Sequence, residues 1–222
     1  MEPPTRTQDS MEARLLESAC RAFAENGFRD TTVADICRGA DANVAAVNYY
    51  FRSKENLYVE AWRRSFHRSL RAHPPHGGVS DAAPAAERLA GRIRSVIARI
   101  MDPQSHEFDI IRHEHATPTG LLAEITREAI EPLRRDMAAI VRELLGPQAS
   151  ERDVRLCVLS IIGQCFGILM RMRAARQTER PPGPALPLNI EAEELAEHIT
   201  AFSLAGIEQK RRHGREGERP RA

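Results

Sequence analysis

Apolar residues recur three and four positions apart along almost the whole chain, and no segment alternates with a sustained period of two. Runs of β-branched residues are short. That pattern predicts an all-α protein. Glycine and proline then cut the periodic stretches into separate helices, because one ends a helix in a left-handed turn and the other cannot continue it. The first helix is predicted from about Ser10 to Asn26, with Leu15, Ala19, Ala22 and Phe23 inward and Gly27 as its stop. A second starts at Thr31 or Thr32 and ends near Gly39, carrying Val33, Ile36 and Cys37 inward. Thr32 and Asp35 have the spacing of a capping box. After a turn at Ala40 to Ala42 a very short helix is capped by Asn43, and a fourth is capped by Ser53, with Glu55 in its first turn.

Downstream, His73-Pro-Pro-His-Gly-Gly78 denies a helix and separates an N-terminal module from a larger C-terminal one. Helices are predicted at about 84–101, opened by Pro84, and at about 105–115. Thr117-Pro118 is expected to restart a helix through Leu122 and Ile125, and Pro132 to kink or split its continuation. Gly146-Pro147 closes that piece. A long apolar helix at about 151–176, a proline-rich connector at 180–187, a last helix at about 190–210 and a basic, disordered tail complete the chain. The domains read as 10–56 for the first three helices, 57–212 for the larger helical part, and 213–222 for the tail.

The chain has 222 residues and 42% apolar content, enough for a buried core. Its formal net charge of +1 supplies no global field for nucleic acid, so any DNA contact must come from a local patch. The start, Met1-Glu-Pro-Pro-Thr-Arg, lacks the apolar run of a secretion signal. Val158 to Met170 is too short and too mixed to span a bilayer. A soluble, cytoplasmic protein without membrane partners is expected. Cys20, Cys37, Cys157 and Cys165 show no C-x-x-C spacing and are expected to act as small apolar side chains; the alternative is a redox pair of Cys157 and Cys165, eight apart on one helix.

The stretch Asn43-Val-Ala-Ala-Val-Asn-Tyr-Tyr-Phe-Arg-Ser-Lys54 carries the chemistry. Two helices joined through Gly39 to Ala42 fit a helix-turn-helix, whose second member enters the major groove. Its face would hold Val44, Ala45, Ala46, Asn48 and Tyr49. Val44 and an alanine suit thymine methyls, and Asn48 suits adenine. Tyr49 and Tyr50 can donate to phosphates. The chain has two lysines, and one of them, Lys54, lies at the start of the fourth helix, where the amides add a positive end. Thr31, Thr32 and Asn43 stand at the other helix starts. The alternative from spacing alone is that Val44, Val47 and Phe51 are simply core, in a helical binding or enzyme scaffold that does not read DNA.

Phe23-Ala-Glu-Asn-Gly-Phe28, Thr31-Thr-Val-Ala-Asp-Ile36 and Val47-Asn-Tyr-Tyr-Phe-Arg-Ser-Lys-Glu-Asn-Leu57 resemble, in order and spacing, the TetR-type transcriptional regulators. The resemblance covers about residues 11–62. It implies a dimeric, ligand-responsive repressor with an N-terminal DNA-binding domain. By position, Thr32, Val44, Ala46, Asn48, Tyr49, Tyr50 and Lys54 match the family's DNA-contacting places. Asp41 stands where a turn glycine is usual, and Asn48 where a tyrosine is common. Ile111-Arg-His-Glu-His-Ala-Thr-Pro-Thr119, with Ile130-Glu-Pro-Leu133 and Leu144-Leu-Gly146, resembles the CecR-like subgroup, which implies a regulator of efflux or drug response.

No Ser/His/Asp or Cys/His set and no glycine-rich phosphate loop appears, so no enzyme activity and no cofactor are expected. His106, Asp109 and His113 could share a helix face for a metal, but a polar face is the expected reading, with no metal. A small-molecule pocket is expected among Trp62, Phe66, Met101, Phe108, Ile111, Leu122, Ile125, Met137, Phe166 and Met170, with Arg112 or His113 as polar anchors. The last two long helices are expected to form a homodimer interface through Leu159, Ile162, Gly163, Phe166, Gly167, Leu195, Ile199 and Phe202. Two such pairs make a four-helix bundle across a two-fold axis, which matches an inverted-repeat operator in double-stranded DNA.

Overall fold

The computed structural model describes residues 6–177 and 190–216, with side chains described over 11–167 and 190–212. The expected connector at 180–187, the end of the expected tail and the side chain of Met170 lie outside the described residues. Among those described there are nine helices and no strand. They are α1 (Arg6–Asp30), α2 (Val33–Ala40), α3 (Val44–Phe51), α4 (Lys54–Ala72), α5 (Ala85–Met101), α6 (Glu107–Ala116), α7 (Ala123–Leu145), α8 (Glu151–Gln177) and α9 (Ala192–Glu216).

The chain divides into two compact units. One is drawn from the first 71 residues and Pro103–Glu128, the other from Ala72–Asp102 and the chain from Ala129 onward. The division therefore differs from a linear boundary at 56: most of α4 and all of α6 share a unit with the first three helices. Local periodicity cannot report that, because it does not say which distant helix supplies the other half of a core.

In the first unit α1 packs on α2, α3 and α6. Leu15, Ala19 and Phe23 of α1, Ile36 of α2, Val47 and Phe51 of α3, and Leu57, Tyr58, Ala61 and Trp62 of α4 are all buried. Each large side chain contributes about 1.5–3 kcal/mol by leaving water. Gly39 lets α1 and α2 approach: a Cβ there would lie 2.4 Å from Ser18 Oγ. That hydroxyl donates to the Ile36 carbonyl at 2.9 Å. Cys20 and Cys37 are buried free thiols. Burial pushes the Cys20 thiol up to about 11, so it stays protonated and inert.

In the second unit α5 packs on α8 and α9, and α8 on α9. Leu89, Ile93, Ile97 and Ile100 form the inward stripe of α5. Arg92, on the same helix, is buried and held by Asp136 of α7 and, at 3.4 Å, by Asp81. Cys157 and Cys165 are free, and burial raises the Cys165 thiol to about 12.

Three expectations are corrected here. Thr117 to Leu122 form a loop and not a helix start, because Glu114 captures the Thr119 and Gly120 amides at 2.9 Å each and holds the backbone out of helical register. Pro132 does not split α7, which runs unbroken from Ala123 to Leu145. Pro132 and Glu128 are both exposed, so the carbonyl that loses its proline partner faces water. α9 continues to Glu216, past residue 213, where the sequence places a disordered tail.

Candidate nucleic-acid interface

The interface is built by three short-range caps. Thr32 has extended backbone angles and its hydroxyl accepts from the Asp35 amide at 3.1 Å, while the Asp35 carboxylate accepts from the Thr32 amide at 3.3 Å. This is the reciprocal capping box the spacing predicts. The Thr32 hydroxyl and amide hold the Asp35 carboxyl below its ordinary range. The bond is therefore present above that range and is lost as pH falls through the lowered value. Asn43 Oδ1 accepts from the Ala46 amide at 3.0 Å, and Ser53 Oγ accepts from the Asn56 amide at 3.2 Å.

The turn between α2 and α3 closes on Asp41, at φ 49° and ψ 55°. This is the left-handed conformation that aspartate tolerates better than most residues, and it explains how Asp41 stands in for a glycine. The Ala42 amide then donates to the Cys37 carbonyl at 2.9 Å, which ties the turn to α2.

α3 has two faces. Val47 and Phe51 are buried. At 3.6 residues per turn, the side opposite them carries Tyr49, 71% exposed, with Ala45 on the same ridge. Beside it runs a second ridge of Val44, 50% exposed, and Asn48. Tyr49 and Tyr50 meet edge to face, with centroids 4.9 Å apart and planes at 88°, which fixes both rings. Among the described residues, Asn48 makes no side-chain hydrogen bond within the chain. The exposed ridges thus bear a methyl and an isopropyl group, a carboxamide and a phenol, and no charge.

Cations stand at the end of the helix. Arg52 closes α3 at φ 68°, a rare angle for arginine, and its amide donates to Val47 and Asn48 carbonyls at 3.2 Å each. Its side chain is exposed. Lys54 Nζ rests 4.3 Å above the Phe28 ring. Neither the Arg52 conformation nor the Phe28 seat was legible beforehand. The shortness of the link between Phe51 and Lys54 was the available signal for the first; nothing local signals the second.

One expected contact is corrected. Thr31 is buried, and its hydroxyl donates to the Gly27 carbonyl at 2.7 Å, so it shapes the turn and offers nothing to a phosphate. The Thr32 hydroxyl donates to Asp35 Oδ2 at 2.5 Å within the cap, and Thr32 itself stays exposed.

The expected pocket residues are distributed between the units. Trp62, Phe66, Phe108 and Leu122 are buried in the first, with Trp62 and Phe66 stacked at 5.1 Å; Ile111, Arg112, His113 and Ile125 are half-buried there. Met101, Met137 and Phe166 belong to the second. Among the described residues no three histidine, cysteine or acidic side chains converge on a metal position. His113 turns instead toward the kink of α1 at Gly27.

Of the expected interface residues, Leu159 and Phe202 are 67% and 64% exposed, and Gly163 and Gly167 lie on the surface. Leu195 and Ile199 are corrected: both are buried within the protomer. They share a helical stripe with Ser203 and Ile207 that faces the unit's own core, whereas Phe202 lies off that stripe. A groove between α8 and α9, bordered by Leu156, Ser160, Gln164, Phe202, Gly206 and Lys210, runs along the outward side.

Residues 15–61 match the family described as bacterial regulatory proteins, tetR family, and residues 85–207 match the C-terminal domain of the HTH-type transcriptional dual regulator CecR. The chain belongs to the TetR family. It is 27% identical to CecR of Shigella flexneri over 192 residues, covering 80% of this chain and 83% of that one. Its fold is similar to a putative transcriptional regulator of Pseudomonas aeruginosa PAO1, with a TM-score of 0.70 at 17% identity over 91% and 92% of the two chains. It is also similar to AibR, solved with isovaleryl coenzyme A and operator DNA, with a TM-score of 0.60 at 22% identity over 86% and 97%. This TetR-family protein is a DNA-binding transcriptional regulator of the CecR type and not an enzyme. No helix among its described residues is long and apolar enough to cross a membrane.

Proposed function

We propose that the protein is a homodimeric repressor that leaves an inverted-repeat operator when a small-molecule effector binds, at genes of efflux or drug response. The observation that carries the reading is the outward face of α3, where Val44, Ala45, Asn48 and Tyr49 stand free of the core. Asn48 pairs with adenine, and Val44 and Ala45 meet thymine methyls. Tyr50, Arg52 and Lys54 grip the strand, with Asn43 and Ala46 holding the start of α3 against it. AibR, of the same fold, binds an acyl-coenzyme A and DNA, which supports an effector-controlled switch. The likeness to CecR, an HTH-type transcriptional dual regulator, supports control of transcription.

Exposed Leu159 and Phe202 support dimer formation through α8 and α9, with Ile162, Gly163, Phe166 and Gly167. Repression is relieved only if the effector prefers the conformation that misplaces the two heads. Within the first unit, Trp62, Phe66, Phe108, Ile111, Leu122 and Ile125, with Arg112 and His113, are where that preference would be expressed.

Selection of genomic fragments by the purified protein tests this directly. The expected product is one palindromic motif with half-sites about one helical turn apart. A compound that dissociates the complex then identifies the effector. Enrichment of fragments with no shared motif would refute the reading. Phe202→Asp is expected to sediment as a monomer and to bind the palindrome about as weakly as a single half-site; an unchanged dimer would remove α9 from the interface.

A further inference from the structure

Lys54 does not stand alone at the start of α4. Its ammonium lies on the Phe28 ring, 4.3 Å from the centroid. Phe28 packs on Tyr58 at 5.0 Å, and Tyr58 packs edge-on against Phe23 at 4.9 Å. The Tyr58 ring is fully buried, and its hydroxyl donates to Glu114 Oε2 of α6 at 3.2 Å. Glu114 is itself clamped. It accepts from the Thr119 amide at 2.9 Å, the Gly120 amide at 2.9 Å and the Thr119 hydroxyl at 2.9 and 3.0 Å. The preceding residue, His113, fills the space beside Gly27, where a Cβ would come within 3.0 Å of Nδ1. Consecutive residues of α6 thus hold both sides of the Gly27-Phe28 segment, one directly and one through Tyr58.

We propose that Glu114 is a positioning residue for the phosphate contact of Lys54, acting through Tyr58 and Phe28. The inference rests on the assignment of Lys54 to a phosphate under the proposed function. A buried phenol needs its acceptor. Burial first, and then the Glu114 charge, push the Tyr58 hydroxyl up, so it stays a donor. When α6 carries Glu114 away, Tyr58 loses its only polar partner within the described chain, the aromatic seat loosens, and the lysine loses its fixed approach to the strand. The clamp at Thr119 and Gly120 makes the carboxylate move with the end of α6 and not independently.

Operator affinity as a function of salt tests the relay. Each phosphate neutralised contributes a slope of about 0.9 in log affinity against log salt, or about a three- to fourfold loss between 50 and 200 mM. Destabilisation lowers the active fraction without moving that slope. Lys54→Met is expected to reduce the slope by about 0.9 per head. Glu114→Ala is expected to produce the same reduction, and the double variant no more than either. Should Glu114→Ala fail to fold, Tyr58→Phe, which removes only the hydroxyl, takes its place with the same expectation. A full slope in the Glu114 or Tyr58 variant beside a reduced slope in Lys54→Met would overturn the relay and leave the lysine contact standing. An unchanged slope in Lys54→Met would overturn the phosphate assignment, and the relay with it.

Discussion

Replacing Asn48 and Tyr49 together by alanine is expected to lower operator affinity by roughly a thousandfold or more, into the nonspecific range. One bidentate contact from asparagine to adenine is worth about 1–3 kcal/mol of discrimination, and a hydroxyl to a phosphate oxygen about 1.5–3 kcal/mol. A two-fold dimer loses both twice. The fold itself is expected to survive. Tyr49 is 71% exposed, Asn48 lies on the surface, and neither contributes to the Val47–Phe51 stripe that anchors α3. Surface changes of this kind alter stability by about 0.5 kcal/mol or less. Fluorescence anisotropy on the selected palindrome, beside a thermal melt and sedimentation of the same preparation, separates the two effects. A variant that stays folded and dimeric and binds within about tenfold of the parent would remove α3 as the reading element.

Gly27→Ala is expected to cost about 3 kcal/mol of stability, the largest effect for so small a change. Two causes add. Gly27 sits at φ 74° and ψ −177°, a region almost closed to residues with a Cβ, and holding one there costs about 1–3 kcal/mol. The new methyl would also lie 3.0 to 3.1 Å from three atoms of His113. Gly78→Ala carries a backbone cost with no such contact, because Gly78 also has positive φ, at 79°, but nothing within 4 Å of the added atom. It is expected to cost about 1–2 kcal/mol. The Gly27→Ala/His113→Ala double variant should recover the steric share of the difference. Urea unfolding of the set measures this; a double variant no more stable than its His113→Ala and Gly27→Ala losses added together would show that His113 does not press on Gly27.

The parts of the interface that were legible in advance share one property. Thr32 with Asp35, Asn43 with Ala46, and Ser53 with Asn56 are all three residues apart, so each cap is settled by the geometry of a single turn. Asp41 belongs with them, since aspartate tolerates the left-handed backbone it adopts there. The illegible parts depend on how a helix ends or on a partner far along the chain. Thr31 reads as a helix-start hydroxyl until α1 is seen to end over it. Lys54 reads as a free surface cation until Phe28 is placed beneath it. Leu195, Ile199 and Phe202 are equally apolar; only the position of the unit's core makes the first two interior and the third exposed. The loop at Thr117 to Leu122 is set by a helix end, because Glu114 reaches its amides only once α6 has ended.

By itself the sequence determined the all-helical class and the caps that set where α2, α3 and α4 begin, because turn chemistry and periodicity act within a few residues; the family resemblance came from its ordered motifs. The tertiary structure alone decided which apolar stripe of α9 is core, that α6 shares a compact unit with the reading helices, and that a buried tyrosine stands between Glu114 and the platform under Lys54. Those choices are made by packing between residues far apart along the chain, where one-dimensional spacing carries no information about which surfaces meet.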